Sequence, residues 1–498
     1  MVVRISGLAS GMDVDAMVKT LMTAAKYPLN NLNQQKQITE WKREGYRQVS
    51  TTLVSLNEKL STFNLSSSIN AKKATVTGAS NITATTTGAA TNSVLNVSVG
   101  SLASASSVVS TTASAKPGAT KISELYSGTE TNIKIGNGTI EFKSDETIDS
   151  LVSKINNDKT TGVTAVYDQT SGQMSLTSST TGDSGITVSG GLLTSIGITT
   201  AAVKNGSDAK VTINGIVTTQ SSNTFTVNGV TISINGATPA GQTSQIQVSQ
   251  DTDKMFDTIK SFVDSYNATL STLNGKTSEE RYRTYTPLTT EQKADMTEDE
   301  VKLWETKAKS GMLKSDSIID KTLSDMRADL IGNVTLPEMV LNSKGELVNK
   351  TINITQIGIT TGSYSEKGKL ILDETKLRAA LAENPEDVYA LFGQTDNSST
   401  TKSTENDGIF NRVKKINNVA LTSLYDKAGT SKYSSDLTTA FLVNSQMGDQ
   451  LRNFDTRITE VNRRLTLLET RYYKQFSAME TAINKFNSTS GSLTSMLS

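Results

Sequence analysis

FDTRITEVNRRLTLLETRYYKQFSAMETAINKF (residues 454–486) carries the most regular pattern in the chain. Phe454, Ile458, Val461, Leu465, Leu468 and Tyr472 follow one another at alternating steps of four and three. A second step of four leads to Phe476, and Met479, Ile483 and Phe486 continue at three, four and three. This is a heptad array on one helix, with one stutter between Tyr472 and Phe476, where a left-handed supercoil would unwind. An unbroken heptad would have placed the polar Gln475 in the seam. The stripe predicts a core, formed either within the chain or with another chain. Beyond it, NSTSGS (487–492) weakens the helix, yet Leu493 and Leu497 keep the heptad phase. That last stretch is expected to be poorly ordered alone and to order on docking. Arg463, Arg464, Arg471 and Lys474 make the helix basic, most simply as a solvated face.

The N-terminal end answers this pattern. Val14, Met17, Val18 and Leu21 have helical spacing, and Ser10 with Asp13 fits a capping box. Pro28 suits the first turn of a second helix. Along that helix Val49, Leu53, Leu56, Leu60 and Phe63 again step by four and three.

Between the ends the composition changes. Residues 74–115 and 211–250 contain no charge and are rich in Ser, Thr, Val, Ala and Gly. Alternation over Val94–Val99 predicts strand. Asn137-Gly138, Asn214-Gly215, Asn228-Gly229 and Asn235-Gly236 supply the residues that type I′ hairpin turns need, most clearly in VTINGIV (211–217) and TVNGVTI (226–232). One helix is embedded, with Ile148, Leu151, Val152 and Ile155 on its apolar face and Asp145 near its start. Helix returns at Asp253, with a stripe of Met255, Ile259, Phe262, Val263, Tyr266, Leu270 and Leu273. Trp304 reads as a half-buried anchor in the charge-dense stretch 277–310. A hairpin is expected from Ile352 to Leu372, a helix from Glu374 to Phe392, and a flexible loop from Thr395 to Ser403. The fold class is therefore α+β: a helical coiled-coil or bundle stalk built from both termini, with inserted β-rich head domains. The chain should leave the helical part near residue 73 and re-enter near 254, giving an elongated molecule.

Composition narrows the chemistry. The chain has 498 residues, 49 basic and 49 acidic, and contains neither histidine nor cysteine. Disulfides, thiolate zinc sites, Ser-His-Asp triads and HExxH helices are thereby excluded. A net charge of zero gives no steering toward nucleic acid, and no run of about 20 apolar residues is available for membrane insertion. After Met1-Val2-Val3-Arg4 the chain turns polar, without the apolar region of an ordinary secretory leader. Gly136-Asn137-Gly138 reads as a hairpin tip. Asp251, Asp253 and the run Glu298–Glu300 read as helix-start carboxylates and not as metal ligands. No cofactor is expected and no enzymatic signature is present.

Several segments, taken in order, resemble the flagellar filament cap family, also called hook-associated protein 2. They are RISGLASGMDVDAMVKTLM (4–22), residues 204–274 from KNGSDAKVTINGIV to SYNATLSTLN, PLTTEQKADMTEDEVKLWETKAKSGMLKSD (287–316), residues 354–393 and ETRYYKQFSAMETAINKFNSTSGSLTSML (469–497). Residues 146–178 are similar to a motif that flagellins also carry. The resemblance implies an N-terminal filament-inserting segment at 1–35 and leg helices at 36–72 with 255–454. It implies a head domain at 73–118 and 204–254, a second head domain at 119–203, and a C-terminal coiled-coil segment at 455–498. It also implies export through the flagellar channel, which fits the absent leader, and location at the filament tip. The implied partners are flagellin, hook–filament junction proteins, an export chaperone and further copies of the chain, commonly in a pentameric ring. The candidate packing seam is Val14, Val18, Leu21, Phe454, Ile458, Val461, Leu465, Leu468, Tyr472, Phe476, Met479, Ile483 and Phe486. The candidate chaperone segment holds Phe486, Leu493 and Leu497. The alternatives are an adhesin binding glycans through the β head, or another axial or junction protein of the flagellum. The long inserted head and the 287–393 block argue against the second alternative.

Overall fold

The computed structural model describes residues 13–111 and 115–497. It separates into two compact units, one of residues 65–254 and the other of the segments on either side. The β-rich middle is thus an insertion into a helical unit.

The helical unit begins with α1 (Val14–Ala25) and α2 (Tyr27–Phe63). Asp13 is itself the N-cap of α1, its carboxylate accepting the Ala16 N–H at 2.9 Å. Asp13 is thus the cap itself and not the third residue of a box, and the Ser10 part of that expectation lies outside the described residues. Pro28 sits in the first turn of α2, where a missing N–H costs nothing. Val49, Leu53, Leu56 and Leu60 are buried along α2, as their spacing requires.

The inserted unit contains β1 (Lys72–Gly78), β2 (Ile82–Thr86), β3 (Ser93–Ser101), β4 (Ala105–Val109), the turn α3 (Ile122–Leu125), β5 (Asn132–Ile135) and β6 (Gly138–Glu141). It continues with α4 (Ile148–Asn157), β7 (Val163–Asp168), β8 (Gln173–Thr181), β9 (Val188–Ser189) and α5 (Gly191–Ser195). It ends with β10 (Ala209–Ile213), β11 (Ile216–Gln220), β12 (Thr224–Val227), β13 (Val230–Ile234) and β14 (Ser244–Gln250). An antiparallel sheet ordered β1-β14-β3-β10-β11 and a smaller sheet β12-β13-β2 share one core around Val97, Val211, Ile232 and Ile246. Sheets β4-β8-β7 and β6-β5-β9, with α4, enclose a second core around Ile133, Ile155, Leu176 and Leu193. β4 pairs with β8, so the core changes just after β3 and not at residue 118. The uncharged composition is the same on both sides of that change and cannot reveal it.

The asparagine–glycine turns divide. Asn214 and Gly215 have φ of 49° and 84°, and Asn228 and Gly229 have 50° and 76°, as type I′ hairpins require. At the third site Ile135 pairs with Gly138, so the turn is Gly136-Asn137 and the expected Asn137-Gly138 turn is displaced by one residue. Gly138 instead provides space, since a Cβ there would lie 2.8 Å from the Thr161 methyl. Asn235-Gly236 forms no hairpin, because β13 pairs with β2 and β12 while β14 belongs to the other sheet.

Back in the helical unit come α6 (Thr252–Ser278), α7 (Thr290–Ala294), α8 (Glu298–Lys309) and α9 (Ser317–Ile331). All seven residues of the α6 stripe are buried. Thr289 with Gln292, and Thr297 with Glu300, form complete capping boxes, which accounts for Glu300 among the carboxylates that open α8. Hairpins β15 (Val334–Leu341)–β16 (Leu347–Ile352) and β17 (Ile359–Thr361)–β18 (Leu370–Leu372) follow. The hairpin expected over 352–372 is the second of these, and the first was not foreseen. The helix expected over 374–392 is two helices, α10 (Glu374–Glu383) and α11 (Pro385–Gly393). Pro385 cannot continue α10 and drives Asn384 out of helical geometry, to φ −139° and ψ 71°. The loop at 395–403 is irregular, as expected, yet anchored: Lys415 Nζ donates to the Asp396 carbonyl at 2.9 Å.

The unit closes with α12 (Ile409–Ala428) and α13 (Gln446–Leu497). Phe262, Phe392 and Phe410 stack within 5.2–5.9 Å of one another in its core. α13 runs unbroken through NSTSGS, against the expected loss of helix. There the hydroxyls of Thr489, Ser492 and Thr494 donate to carbonyls four residues earlier, at 2.8–3.0 Å, and so do not compete with the helix.

Candidate functional site

The heptad stripe of α13 meets α1. Val14, Val18, Met22 and Leu465 are buried together, with Met17, Leu29, Val461, Leu468, Tyr472, Tyr473 and Phe476 packed around them. α1 and then α2 run antiparallel to α13: Asp15 of α1 accepts a hydrogen bond from the Tyr473 hydroxyl at 2.9 Å, and Lys36 of α2 pairs with Asp455 at 2.6 Å. The hydrogen bond from Lys36 to Asp455 holds that ammonium above its ordinary pKa.

The seam residues foreseen from spacing fall into three groups. Val14, Val18, Val461, Leu465, Leu468, Tyr472 and Phe476 come together in this cluster. Phe454, Ile458 and Ile483 are half-buried on the same helix. Leu21, Met479 and Phe486 are exposed, Phe486 by 73%. Leu21 stays outside the α1–α13 cluster, and its neighbour Met22 turns inward instead. Adjacent helical residues point about 100° apart, so only one of the two can face α13. Met22 lies four residues after Val18, which is the signal that would have found it. Tyr473 was also missed, since its contribution is a hydroxyl at the edge of the seam. Gln475 is exposed, so the stutter does carry the seam onward to Phe476.

The gradient along α13 is the main feature. Leu465 is only 9% exposed, whereas Leu493 is 54% and Met496 is 85% exposed. Leu497 is the last residue of the helix. Among the described residues no cluster of acidic side chains suits a metal ion, and no helix is long and apolar enough to cross a membrane. What the arrangement offers is packing surface: an antiparallel helical seam that continues as an exposed apolar stripe.

Comparison with known proteins gives this seam a setting. Residues 10–106 match the family described as Flagellar hook-associated protein 2 N-terminus, and residues 206–488 match its C-terminus. Residues 126–180, in the second head core, match the Flagellin hook IN motif. The flagellar hook-associated protein 2 of Halalkalibacterium halodurans is 32% identical over 548 residues, covering 98% of this chain and 99% of that one. That of Thermotoga maritima is 27% identical, over 72% of this chain and 53% of its own. The crystal structure of the flagellar cap protein FliD D1-D2-D3 domains from Escherichia coli shares the fold. Its TM-score is 0.52 at 22% identity, covering 78% of this chain and 97% of that one. The glycan-binding adhesin considered from sequence has no support here. The flagellin-like motif is confined to the head, while the helical unit on both sides of it carries the two hook-associated signatures, and on that ground the chain belongs to the flagellar hook-associated protein 2 family.

Proposed function

We propose that this chain caps the distal end of a bacterial flagellar filament and that the α1–α13 seam with its exposed continuation is the surface it lends to other chains. The cap role and the place at the filament follow from the family. The residues and partners are our own reading. Copies of the chain form a ring, commonly of five, that retains exported flagellin and promotes its folding and insertion. The ends of the chain, about 1–35 and 455–498, pack against filament helices or neighbouring copies. Hook–filament junction proteins lie beneath the first cap. Phe486, Leu493 and Leu497 are the segment that an export chaperone covers before secretion.

The single observation that carries this reading is that one heptad stripe, buried at Leu465 and half-buried at Tyr472, Phe476 and Ile483, ends exposed at Phe486. A fully buried Leu, Ile or Phe is worth roughly 1.5–3 kcal/mol, so an exposed continuation of the stripe is a large store of unused association energy. It is too long to be incidental and keeps the period of a helix partner.

Deleting residues 1–35 and 455–498 together tests it. The truncated chain should retain the leg and head cores, seen as cooperative melting, yet leave cells unable to grow filaments, with flagellin released into the medium. Normal swimming by cells carrying only the truncated chain would refute the proposal.

A further inference from the structure

At one level of the helical unit, α2 is used on two nearly opposite sides. Asn30, Asn33, Gln34 and Gln37 face the segment around 287–293, where the Gln34 amide donates to the Pro287 carbonyl at 2.7 Å. Pro28, Asn31, Leu32 and Gln35 face α13. At 100° per residue the two sets stand about 160° apart around α2.

On the first side sits an arm, residues 287–310, formed by α7 and α8. Its own contacts brace it, with Lys293 paired to Glu305 at 2.6 Å and the Trp304 indole N–H donating to the Thr286 carbonyl at 2.8 Å, and Lys26 reaches Glu291 across to it at 3.4 Å. Its outer surface carries Asp295, Glu298 and Asp299, all exposed. One turn beyond Asp299, on the same face, Leu303 is 68% exposed.

On the second side lies an open groove of about 570 Å³ between α2 and α13. Leu32 and Val461 give it an apolar floor, and Arg457 and Arg464 stand at its rim. Arg464 is shared with Glu460 at 2.9 Å. Among the described residues Arg457 makes no ion pair, and neither do Asp295, Glu298 and Asp299.

The two surfaces are complementary. One is a leucine with carboxylates one turn before it and Lys302 beside it; the other is an apolar floor rimmed by Arg457 and Arg464, with Glu460 between them. We propose that the groove receives the α7–α8 arm of the next copy of this chain, with Leu303 over Leu32 and Val461, and with Glu298 and Asp299 against Arg457 and Arg464. The donor and acceptor surfaces differ, so the contact is heterologous, as a ring of more than two copies requires. The base of the arm and the groove lie on opposite sides of the same stretch of α2, which suits side-by-side addition of copies. This rests on the ring reading above and names the surface that makes the ring.

The chain has no cysteine, so introduced thiols report unambiguously. In the full-length chain, Asp299→Cys combined with Arg457→Cys, treated with a short bis-maleimide, should give a ladder of covalent multimers. Each single variant alone should stay uncrosslinked, and an equimolar mixture of the two singles should stop at dimers. Separately, Arg457→Glu with Arg464→Glu should weaken ring association about tenfold or more, and adding Glu298→Lys with Asp299→Lys should restore it. Rings seen by electron microscopy without the ladder would overturn this interface and leave the cap reading standing. A wild-type chain that stays monomeric at all concentrations would overturn the ring and the interface together. A photoreactive maleimide attached at Arg457→Cys that captures flagellin instead of this chain would overturn the proposal in favour of a filament contact.

Discussion

Leu465→Ala isolates the clamp between the two ends of the chain. Leu465 is 9% exposed, and its fully covered neighbours are few: Val14 at 2%, Val18 at 1% and Met22 at 8%. Truncating a buried leucine to alanine costs about 2–5 kcal/mol, least where the surroundings can close over the gap. Leu465 sits in a small cluster at the rim of the helical unit, so the lower end applies, about 2 kcal/mol. The leg core is built separately on Tyr46, Phe262, Phe392 and Phe410, so the loss should fall on the attachment of α1 and not on global unfolding. A change of about 2 kcal/mol raises the population of the opened state roughly 30-fold.

Amide hydrogen exchange followed by mass spectrometry resolves this. Peptides covering residues 14–25 should exchange about 30-fold faster in the variant, while those covering 49–60 should not change. Leu467→Ala is the control, since Leu467 is 60% exposed on the same helix and should leave both regions unaltered. Unchanged exchange in α1 would show that Leu465 does not hold it. An equal rise along α2 would show that the seam and the leg core are one cooperative body, which removes the basis for treating the seam as a separately exchangeable part.

The remaining expectations concern the helical unit. Lys415 Nζ lies 2.6 Å from Asp407 Oδ2, with Asp407 fully buried, so Lys415→Met leaves a buried carboxylate without its ion-pair partner, held only by the N–H groups of Asp396 and Thr404 and the Thr404 hydroxyl. It should cost about 3–5 kcal/mol, and Asp407→Asn in the same chain should recover most of that loss in thermal melts. Lys293 holds the Glu305 carboxyl below its ordinary pKa by a hydrogen bond, against opposing burial. The folded pKa is thus depressed, so this contribution is complete above the unfolded carboxylate value of about 4.3 and fades as pH falls through the folded one. With Trp41→Phe leaving Trp304 as the sole indole, its emission should shift to longer wavelength as the arm loosens in acid. Glu305→Gln should abolish that pH-dependent step.

Where the sequence was legible, one physical signal had one structural outcome. A run of apolar residues at helical spacing must be covered, and so the stripes of α2 and α6 lie in the core as read. Asn214-Gly215 and Asn228-Gly229 adopt positive φ because little else can at both turn positions. Failures arose where two outcomes share one signal. Gly136-Asn137-Gly138 offers a glycine on either side of the asparagine; both are crowded against Thr161, and it is Gly136, at φ 56°, that turns while Gly138 pairs with Ile135. Leu21 and Met22 are both apolar, and the direction of α13 decides which is covered. The same ambiguity, enlarged, applies to the candidate site. Heptad spacing declares that Val461 through Phe486 will be covered, but not by what. The structure assigns α1 to the first half of that stripe and leaves Met479 and Phe486 outside it. A cap that must hold a filament end and still move as subunits enter needs both conditions on one helix. On the proposed reading, the stretch tied to α1 would define the leg and the next would meet the partner. The stutter at Tyr472–Phe476 lies close to that change, since Phe476 still packs in the α1 cluster while Met479 and Phe486 are exposed.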